Sequence, residues 1–395
     1  MPKLTVKDIP LEGKRVFLRV DFNVPLSPEG EVLDDTKIRA SLPTIRYLLD
    51  KGCKIILASH LGRPKGKVVK ELSMAPVAER LSQLLNREVF TSDYVAGASV
   101  EEMVRSLKPG DILMLENLRF EAGEEKNEEQ FAAALARLAD VYVNDAFGTA
   151  HRAHASTCGI TRFLPSVAGL LMEKEIVSLS RAKENPPSPL AVILGGKKVA
   201  DKIGVIRHFL GRADRLLIGG AMANTFLKAR GYNPGSSFYE EDKLNVAREI
   251  LEEAQRSKTE LLLPLDLVIT QELAANSPHK IVRAEDIPQG WSAVDLGPET
   301  VKAYQKALQG AKMVLWNGPL GAYEFPPFHE ATEAVARAIA ETGAESIVAG
   351  GDIVAALEKL GLTKGVTHIS TGGGAVLEFW EGKELPGLAA LQNKN

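Results

Sequence analysis

Short apolar runs alternate with stretches of helical period along almost the whole chain, and this alternation limits the fold more than any single motif does. Runs of strand length stand at Val16–Val20, Lys54–Ala58, Ile112–Leu115, Val141–Val143, Ala191–Leu194, Arg215–Ile218, Leu261–Leu263, Met313–Trp316 and Ile347–Ala349. Between them, Met74, Val77, Leu81, Leu84 and Leu85 recur at the spacing of one helix face, as do Phe131, Leu135 and Leu138, and the segment Ala331–Ala340 follows the same period. Strand followed by helix, repeated, predicts an α/β fold of parallel sheets with helices on both faces. A chain of 395 residues is too long for one ordinary core. The reading is therefore two doubly wound parallel-sheet lobes joined by a helix and hinge.

The joint is placed by proline. Glu184-Asn185-Pro186-Pro187-Ser188-Pro189 cannot continue a helix. The preceding Val167–Lys183, with Leu170, Leu171, Ile176 and Leu179 apolar, reads as one amphipathic connecting helix. The expected organisation is a first lobe over 1–166, a connecting helix over 167–186, a second lobe over 187–379 and a tail over 380–395. Leu388, Ala389, Ala390 and Leu391 make that tail apolar enough to pack on something. The net charge of −3, the 6% aromatic content and the lack of a basic tract argue against nucleic acid as a partner. Two cysteines far apart in apolar stretches, Cys53 and Cys158, read as reduced core thiols. No apolar run reaches the ~18 residues of a membrane span, and Met1–Asp8 lacks an apolar signal core. A cytoplasmic location is the expectation.

Ligands of such sheets sit beyond the carboxyl ends of the strands, and the two halves differ there. In the second half four apolar runs end in glycines: Gly195-Gly196, Gly219-Gly220, Gly350-Gly351 and Thr371-Gly372-Gly373-Gly374. Glycine at a strand-to-helix turn lets backbone amides approach a phosphate. After the first pair, Lys198 and Lys202 are spaced to share one helix face. Like charges there fit an anion held between them, or two solvated lysines. Asp352 at the start of a predicted helix is either a cap or a carboxylate for Mg²⁺ on a nucleotide. Its neighbours favour the metal.

In the first half the corresponding loops carry Asp21-Phe22-Asn23, Ser59-His60-Leu61-Gly62-Arg63, Glu116-Asn117-Leu118-Arg119, and Asn144-Asp145 through His151-Arg152-Ala153-His154. Any one arginine is more often a surface charge. Several at strand ends, with histidines, suggest a basin for a small polyanion. Asp21 and Asn23 suit substrate hydroxyls. No Ser-His-Asp set, Cys/His metal spacing, Gly-x4-Gly-Lys-[Ser/Thr] loop or protein-kinase signature is present. A nucleotide half and a polyanion half in one chain point to transfer of a group between them.

At these loops the chain resembles the phosphoglycerate kinase family. The resemblance is carried by Arg19-Val20-Asp21-Phe22-Asn23-Val24-Pro25, Ser59-His60-Leu61-Gly62-Arg63-Pro64, Glu116-Asn117-Leu118-Arg119-Phe120, Asn144 through His154, Trp316-Asn317-Gly318-Pro319 and Ser370-Thr371-Gly372-Gly373-Gly374. It implies reversible phosphoryl transfer from 1,3-bisphosphoglycerate to ADP, giving 3-phosphoglycerate and ATP in glycolysis, with Mg²⁺. It also implies a monomer, lobes that close about a hinge, and a tail that returns to the first lobe. By position, Asp21, Asn23, His60, Leu61, Gly62, Arg63, Arg119 and Arg152 resemble the 3-phosphoglycerate site. Lys202, Gly219, Gly220, Ala293, Asn317, Glu324, Gly350, Gly351, Asp352 and Ile353 resemble the nucleotide site, with Asp352 as metal ligand and Glu324 as ribose contact. Lys198, Lys37, Gly373 and Gly374 resemble the groups that meet the phosphoryl in flight.

The chain departs from the family's usual pattern at Lys37, where arginine is customary, and at Ile353, where Ser or Thr is. Ala349 and Ala293 replace glycines, and Val376 replaces a serine. A catalytically weakened homologue kept for nucleotide binding or regulation is the alternative these departures raise. A dinucleotide-dependent oxidoreductase would need a Gly-x-Gly-x-x-Gly turn after a strand, and none stands there.

Overall fold

The computed structural model describes residues 2–394. Two compact units divide it: one runs to Val177 and takes back the chain from Glu384, and the other is Ser178–Lys383.

The first unit holds a parallel six-stranded sheet of β1 (Arg15–Val20), β2 (Lys54–Ala58), β3 (Phe90–Thr91), β4 (Ile112–Met114), β5 (Val141–Asp145) and β6 (Ser166–Ala168), ordered β3-β4-β2-β1-β5-β6. The central strands are buried along nearly their whole length. Both faces are therefore covered, which is why they read as continuous apolar runs. The helix Thr36–Asp50 packs Ile38, Leu42, Ile45 and Leu48 into this core. Connections leave β1 toward β2 on one side and β5 toward β6 on the other, so the order reverses between β1 and β5. That is where an open α/β sheet leaves a crevice.

The second unit has its own parallel sheet of β7 (Leu190–Leu194), β8 (Arg215–Ile218), β9 (Glu260–Leu262), β13 (Met313–Asn317), β14 (Glu345–Ala349) and β15 (His368–Ser370), ordered β15-β14-β13-β7-β8-β9. Counted within the sheet this is the 3-2-1-4-5-6 order of doubly wound folds, with the reversal between β7 and β13. The α/β reading with two doubly wound parallel sheets is borne out.

An antiparallel sheet was not anticipated. β10 (Asp266–Thr270) pairs with β11 (His279–Arg283) and β12 (Ser292–Leu296) in the second unit. The helix expected from Val167 starts at Leu170, because Val167 and Ala168 pair with Val143 and Asn144 as the edge strand β6. The tail also divides differently. Trp380 ends the helix Gly374–Trp380 and is buried against Phe209 in the second unit. From Glu384 the chain joins the first unit, where the Gly387 amide donates to Ala150 O (2.8 Å) and the Gln392 amide to Ser166 O (3.0 Å).

Both cysteines are free; Cys53 is buried, and burial pushes its thiol up to about 11. Among the described residues no helix is long and apolar enough to cross a membrane.

Asp145, at the end of β5, is fully buried, and its Oδ1 accepts the amides of Leu171 (3.0 Å) and Met172 (3.1 Å) at the start of the helix Leu170–Glu184. Burial raises the carboxyl to about 6, against the hydrogen bonds that favour its ionised form. A carboxyl raised on folding destabilises the native state as pH climbs from its unfolded value to its folded one. Asp145→Asn removes that cost, on the order of 3 kcal/mol for a shift of this size. The variant therefore gains stability over wild type between pH 4 and 7. Denaturant unfolding of both proteins at the two pH values checks this; a constant difference would count against it.

Candidate active site

In the first unit the loops after β1, β2, β4 and β5 bring most of the expected side chains to one edge of the sheet. Asp21 follows β1, and Lys37, in the first turn of the helix Thr36–Asp50, places Nζ 3.0 Å from Asp21 Oδ2. Burial pushes Asp21 upward, but the charges of Lys37 and Arg19 and the hydrogen bond from Lys37 hold the carboxyl below its ordinary value. Asn23 Oδ1 accepts the Gly62 amide (2.9 Å), and Arg119 Nη1 donates to Gly62 O (2.7 Å). Gly62 thus ties the loops after β1, β2 and β4 together. Arg119 is almost wholly buried, with Nε 3.3 Å from Glu125 Oε1. Arg152 lies close enough to Arg119 to repel it, and its Nε sits 3.1 Å from His151 Nε2.

Leu61 differs from the expectation for a binding residue. Its side chain joins the core, and both its backbone polar groups are taken by Asn117. It holds the loop rather than lining it. Arg63 is exposed, and among the described residues no hydrogen bond or ion pair ties it to the others. Arg39 is turned away, paired with Asp35 (2.7 Å), which also binds Arg80.

Sequence reasoning missed the layer beneath this cluster. Arg19, 1% exposed, donates Nε to Ser156 Oγ (2.9 Å) and sets Nη2 3.2 Å from His60 Nδ1. Ser156 in turn donates Oγ to Glu124 Oε1 (2.6 Å) and its amide to Oε2 (2.9 Å). Guanidinium only donates, so His60 Nδ1 accepts and the ring proton resides on Nε2. Burial, reinforced by Arg19 and Arg119, holds His60 well below the usual histidine range. His60 is therefore a neutral N–H donor. His154 is also neutral, lowered to about 4 by burial and the neighbouring arginines. A lone charged residue inside the apolar run Val16–Val20 was the available signal for Arg19.

In the second unit the loops of β7 and β13, on either side of the reversal, touch. The Gly195 amide donates to Asn317 O (2.9 Å) and the Gly196 amide to Pro319 O (2.8 Å). This approach requires glycine: a Cβ on Gly318, whose φ is +86°, would lie 2.4 Å from Gly195 O. Asn317 accepts from Lys202 Nζ and donates to Ala349 O. The next loop crowds it in turn, since a Cβ on Gly350 would lie 2.8 Å from Asn317 Nδ2.

The resulting cavity of about 350 Å³ is lined by Lys198, Lys202, Asn317, Gly350, Gly351, Asp352, Ile353, Gly373 and Gly374, among others. Ile353 is fully buried, so its side chain offers only an apolar surface. Burial lowers Lys202, with Asp201 and Asp352 opposing.

Lys198 and Lys202 do not share a helix face. The helix there is Ile203–Phe209, and both lysines precede it in a turn. The Lys202 amide goes to Val199 O (2.8 Å), three residues back rather than four, so the helical ladder stops short of Lys198, and Glu240 Oε2 accepts the Val199 and Ala200 amides ahead of it. Lys198 is exposed in the cavity wall.

A second cavity of about 470 Å³ adjoins the first and is more apolar. Phe238, Leu267, Leu273, Val294 and Leu320 supply apolar wall, with Gly220, Ala293 and Glu324 also in the lining. Gly219 is buried behind Leu320 and belongs to neither wall. Gly196, Lys197 and Asp352 line both cavities. Much of this wall comes from the antiparallel sheet. Leu267-Val268-Ile269-Thr270 carried an ordinary strand signal, overlooked beside Leu261–Leu263.

The phosphoglycerate kinase family model matches residues 6–383. The chain belongs to the phosphoglycerate kinase family. It is 56% identical over 394 residues to phosphoglycerate kinase of Moorella thermoacetica, covering 100% of both chains. It is 54% identical over 398 residues to that of Thermosipho africanus, covering 100% of this chain and 99% of the relative. Among solved structures, phosphoglycerate kinase of Coxiella burnetii superposes with a TM-score of 0.90 at 40% identity, and that of Pyrococcus horikoshii OT3 with 0.86 at 35%; each match covers 98% of both chains. As a phosphoglycerate kinase family member the chain is an enzyme, and the resemblance carried by its loops is borne out.

Proposed function

We propose that the chain transfers a phosphoryl group reversibly from 1,3-bisphosphoglycerate to ADP, giving 3-phosphoglycerate and ATP. One observation supports this most: a glycine- and lysine-lined cavity adjoins a more apolar one through Gly196, Lys197 and Asp352. That is the shape of a nucleotide, with phosphates in the first cavity and base in the second. The first unit complements it with a basin of arginines and a neutral histidine. The named relatives are kinases, so the binding-only alternative has no support among them.

In this reading the first unit is the substrate unit. Arg119, Arg152 and Arg63 neutralise the anion, His60 donates Nε2–H, and Asp21 and Asn23 take hydroxyls. The second unit holds the nucleotide, with Lys202 on its phosphates and Glu324 beside the ribose. A β-phosphate oxygen of ADP forms the new P–O bond as the acyl P–O bond breaks, and the electron pair stays on the departing carboxylate. Neither oxygen needs a proton removed, so no general base is required. Lys198, Lys37 and the amides of Gly373 and Gly374 meet the charge on the group in transit.

Among the described residues no three His, Cys, Asp or Glu side chains gather to hold a metal alone. The donors fit Mg²⁺ carried on the nucleotide, which needs only one or two carboxylates beside phosphate oxygens, and Asp352 supplies one. Bound there, Mg²⁺ would neutralise phosphate charge. Transfer also requires the two bound ligands to meet, so turnover in a monomer includes closure of the units. A radius of gyration unchanged by both ligands together would count against closure.

The test is a coupled assay with ADP and the acyl phosphate; no turnover by the wild type would overturn the reading. The same assay decides Lys37. Arginine there keeps the charge and the reach to Asp21 and presents a planar fork of donors that can bind two oxygens at once. Lys37→Arg is expected to raise kcat by roughly 2–10-fold. A flat or lower kcat would remove Lys37 from the transfer site.

A further inference from the structure

Among the described residues the Lys198 side chain has no hydrogen-bond or ion-pair partner, and the turn that carries it is held from outside. Glu240 Oε2 accepts the amides of Val199 and Ala200, the two residues that follow Lys198. One residue before it, Lys197 Nζ sits 5.0 Å from the centre of the Phe238 ring. The turn is thus stitched on both sides of Lys198 to a single segment, Phe238–Glu240. That segment is itself anchored. The Glu240 amide donates to Thr225 Oγ1 (3.1 Å) and Asn224 Nδ2 donates to Phe238 O (3.1 Å). Asn224 and Thr225 are buried residues of the helix Met222–Ala229. Phe238 also forms part of the apolar wall.

We infer that Glu240 is a positioning residue for phosphoryl transfer: by capturing the Val199 and Ala200 amides it holds Lys198 toward the phosphate cavity, in register with the wall of the base cavity. The inference rests on the reading given under Proposed function. Two consecutive amides on one carboxylate oxygen pin this turn where it enters the helix Ile203–Phe209. Without that acceptor the two amides lose the carboxylate that fixes them, the turn is no longer held, and Lys198 is free to re-aim. A misplacement of about 1 Å in a reacting group can cost ~10²-fold in rate. Because both bonds go to one oxygen, acceptance rather than negative charge is what matters. Glutamine retains an oxygen at the same reach, and alanine has none.

The experiment compares E240A and E240Q with wild type in steady-state kinetics and amide hydrogen exchange. E240A is expected to lose at least tenfold in kcat, with KM for the acyl phosphate within about twofold of wild type. The Val199 and Ala200 amides exchange faster in it. E240Q keeps kcat within about threefold and keeps both amides protected. Equal kinetics for the two variants, or a kcat for E240A within twofold of wild type, would overturn the inference. So would a loss in E240A that falls on KM for the acyl phosphate. If E240A does not fold, E240Q decides: a tenfold fall in its kcat with both amides still protected shows that charge, not acceptance, is used, and the inference fails. An inactive wild type would sink the proposed reaction instead. Exchange at Val199 and Ala200, slow in E240Q and fast in E240A, still reports the clamp on its own.

Discussion

Lys198→Met lowers kcat by roughly 10²–10³-fold while leaving the affinity for ADP nearly unchanged, as expected for a donor that acts on charge in transit. Lys202 is the contrast. It is largely buried and bonded to Asn317, with Asp352 near, so under the proposed function it is the lysine that meets the nucleotide in the ground state. Lys198 is exposed in the cavity wall. An interaction made mainly in the transition state appears in kcat, and one made equally in both states appears in KM. Lys202→Met therefore raises KM for ADP, while Lys198→Met leaves it nearly as it is. Steady-state kinetics together with calorimetric titration of ADP check the split. A Lys198→Met protein with near-normal kcat, or one that no longer binds ADP, would take the central role away from Lys198.

Arg19→Met destabilises the first unit by roughly 3–5 kcal/mol, the scale on which removing one partner leaves a buried charge alone. The charge left behind is Glu124, which is wholly buried and shares Ser156 with Arg19. Burial raises Glu124 above the ordinary glutamate range, and Arg19 is first among the opposing influences. Without Arg19 the carboxyl is raised further. A raised carboxyl leaves stability intact below its unfolded value and removes it as pH rises through its folded value. The loss in Arg19→Met is thus larger at pH 7 than at pH 5. The three tryptophans, Trp291, Trp316 and Trp380, all lie in the second unit, so their fluorescence does not follow this change. Exchange of the β1 amides in urea at the two pH values does. A loss independent of pH would show that Glu124 is not the group left unpaired.

These two variants sit at opposite ends of what could be read in advance. Lys198 stands in a loop whose glycines and lysines already pointed to phosphate. The clamp inferred to set its direction, Glu240, is 42 positions away and looks like any surface glutamate. The expected helix face for Lys198 and Lys202 failed because the Lys202 amide turns to Val199 O, three residues back, so the helical ladder stops short of Lys198. Leu61 sits in a recognisable motif, yet Asn117, 56 positions on, occupies its backbone.

The alternation of apolar runs and helical periods determined the two parallel sheets, because strands buried on both faces must be apolar throughout, and that is visible residue by residue. Loop composition marked where anions are proposed to be met, since glycine and arginine carry their chemistry with them. Only the tertiary structure decided the antiparallel sheet, whose strand β11 is mostly solvent-exposed and shows no apolar period. It alone decided the Glu124–Ser156–Arg19–His60 relay and the Glu240 clamp. Local periodicity reports which side of an element faces the core; which distant groups share a buried charge or a free amide depends on what the folded topology brings within hydrogen-bond reach.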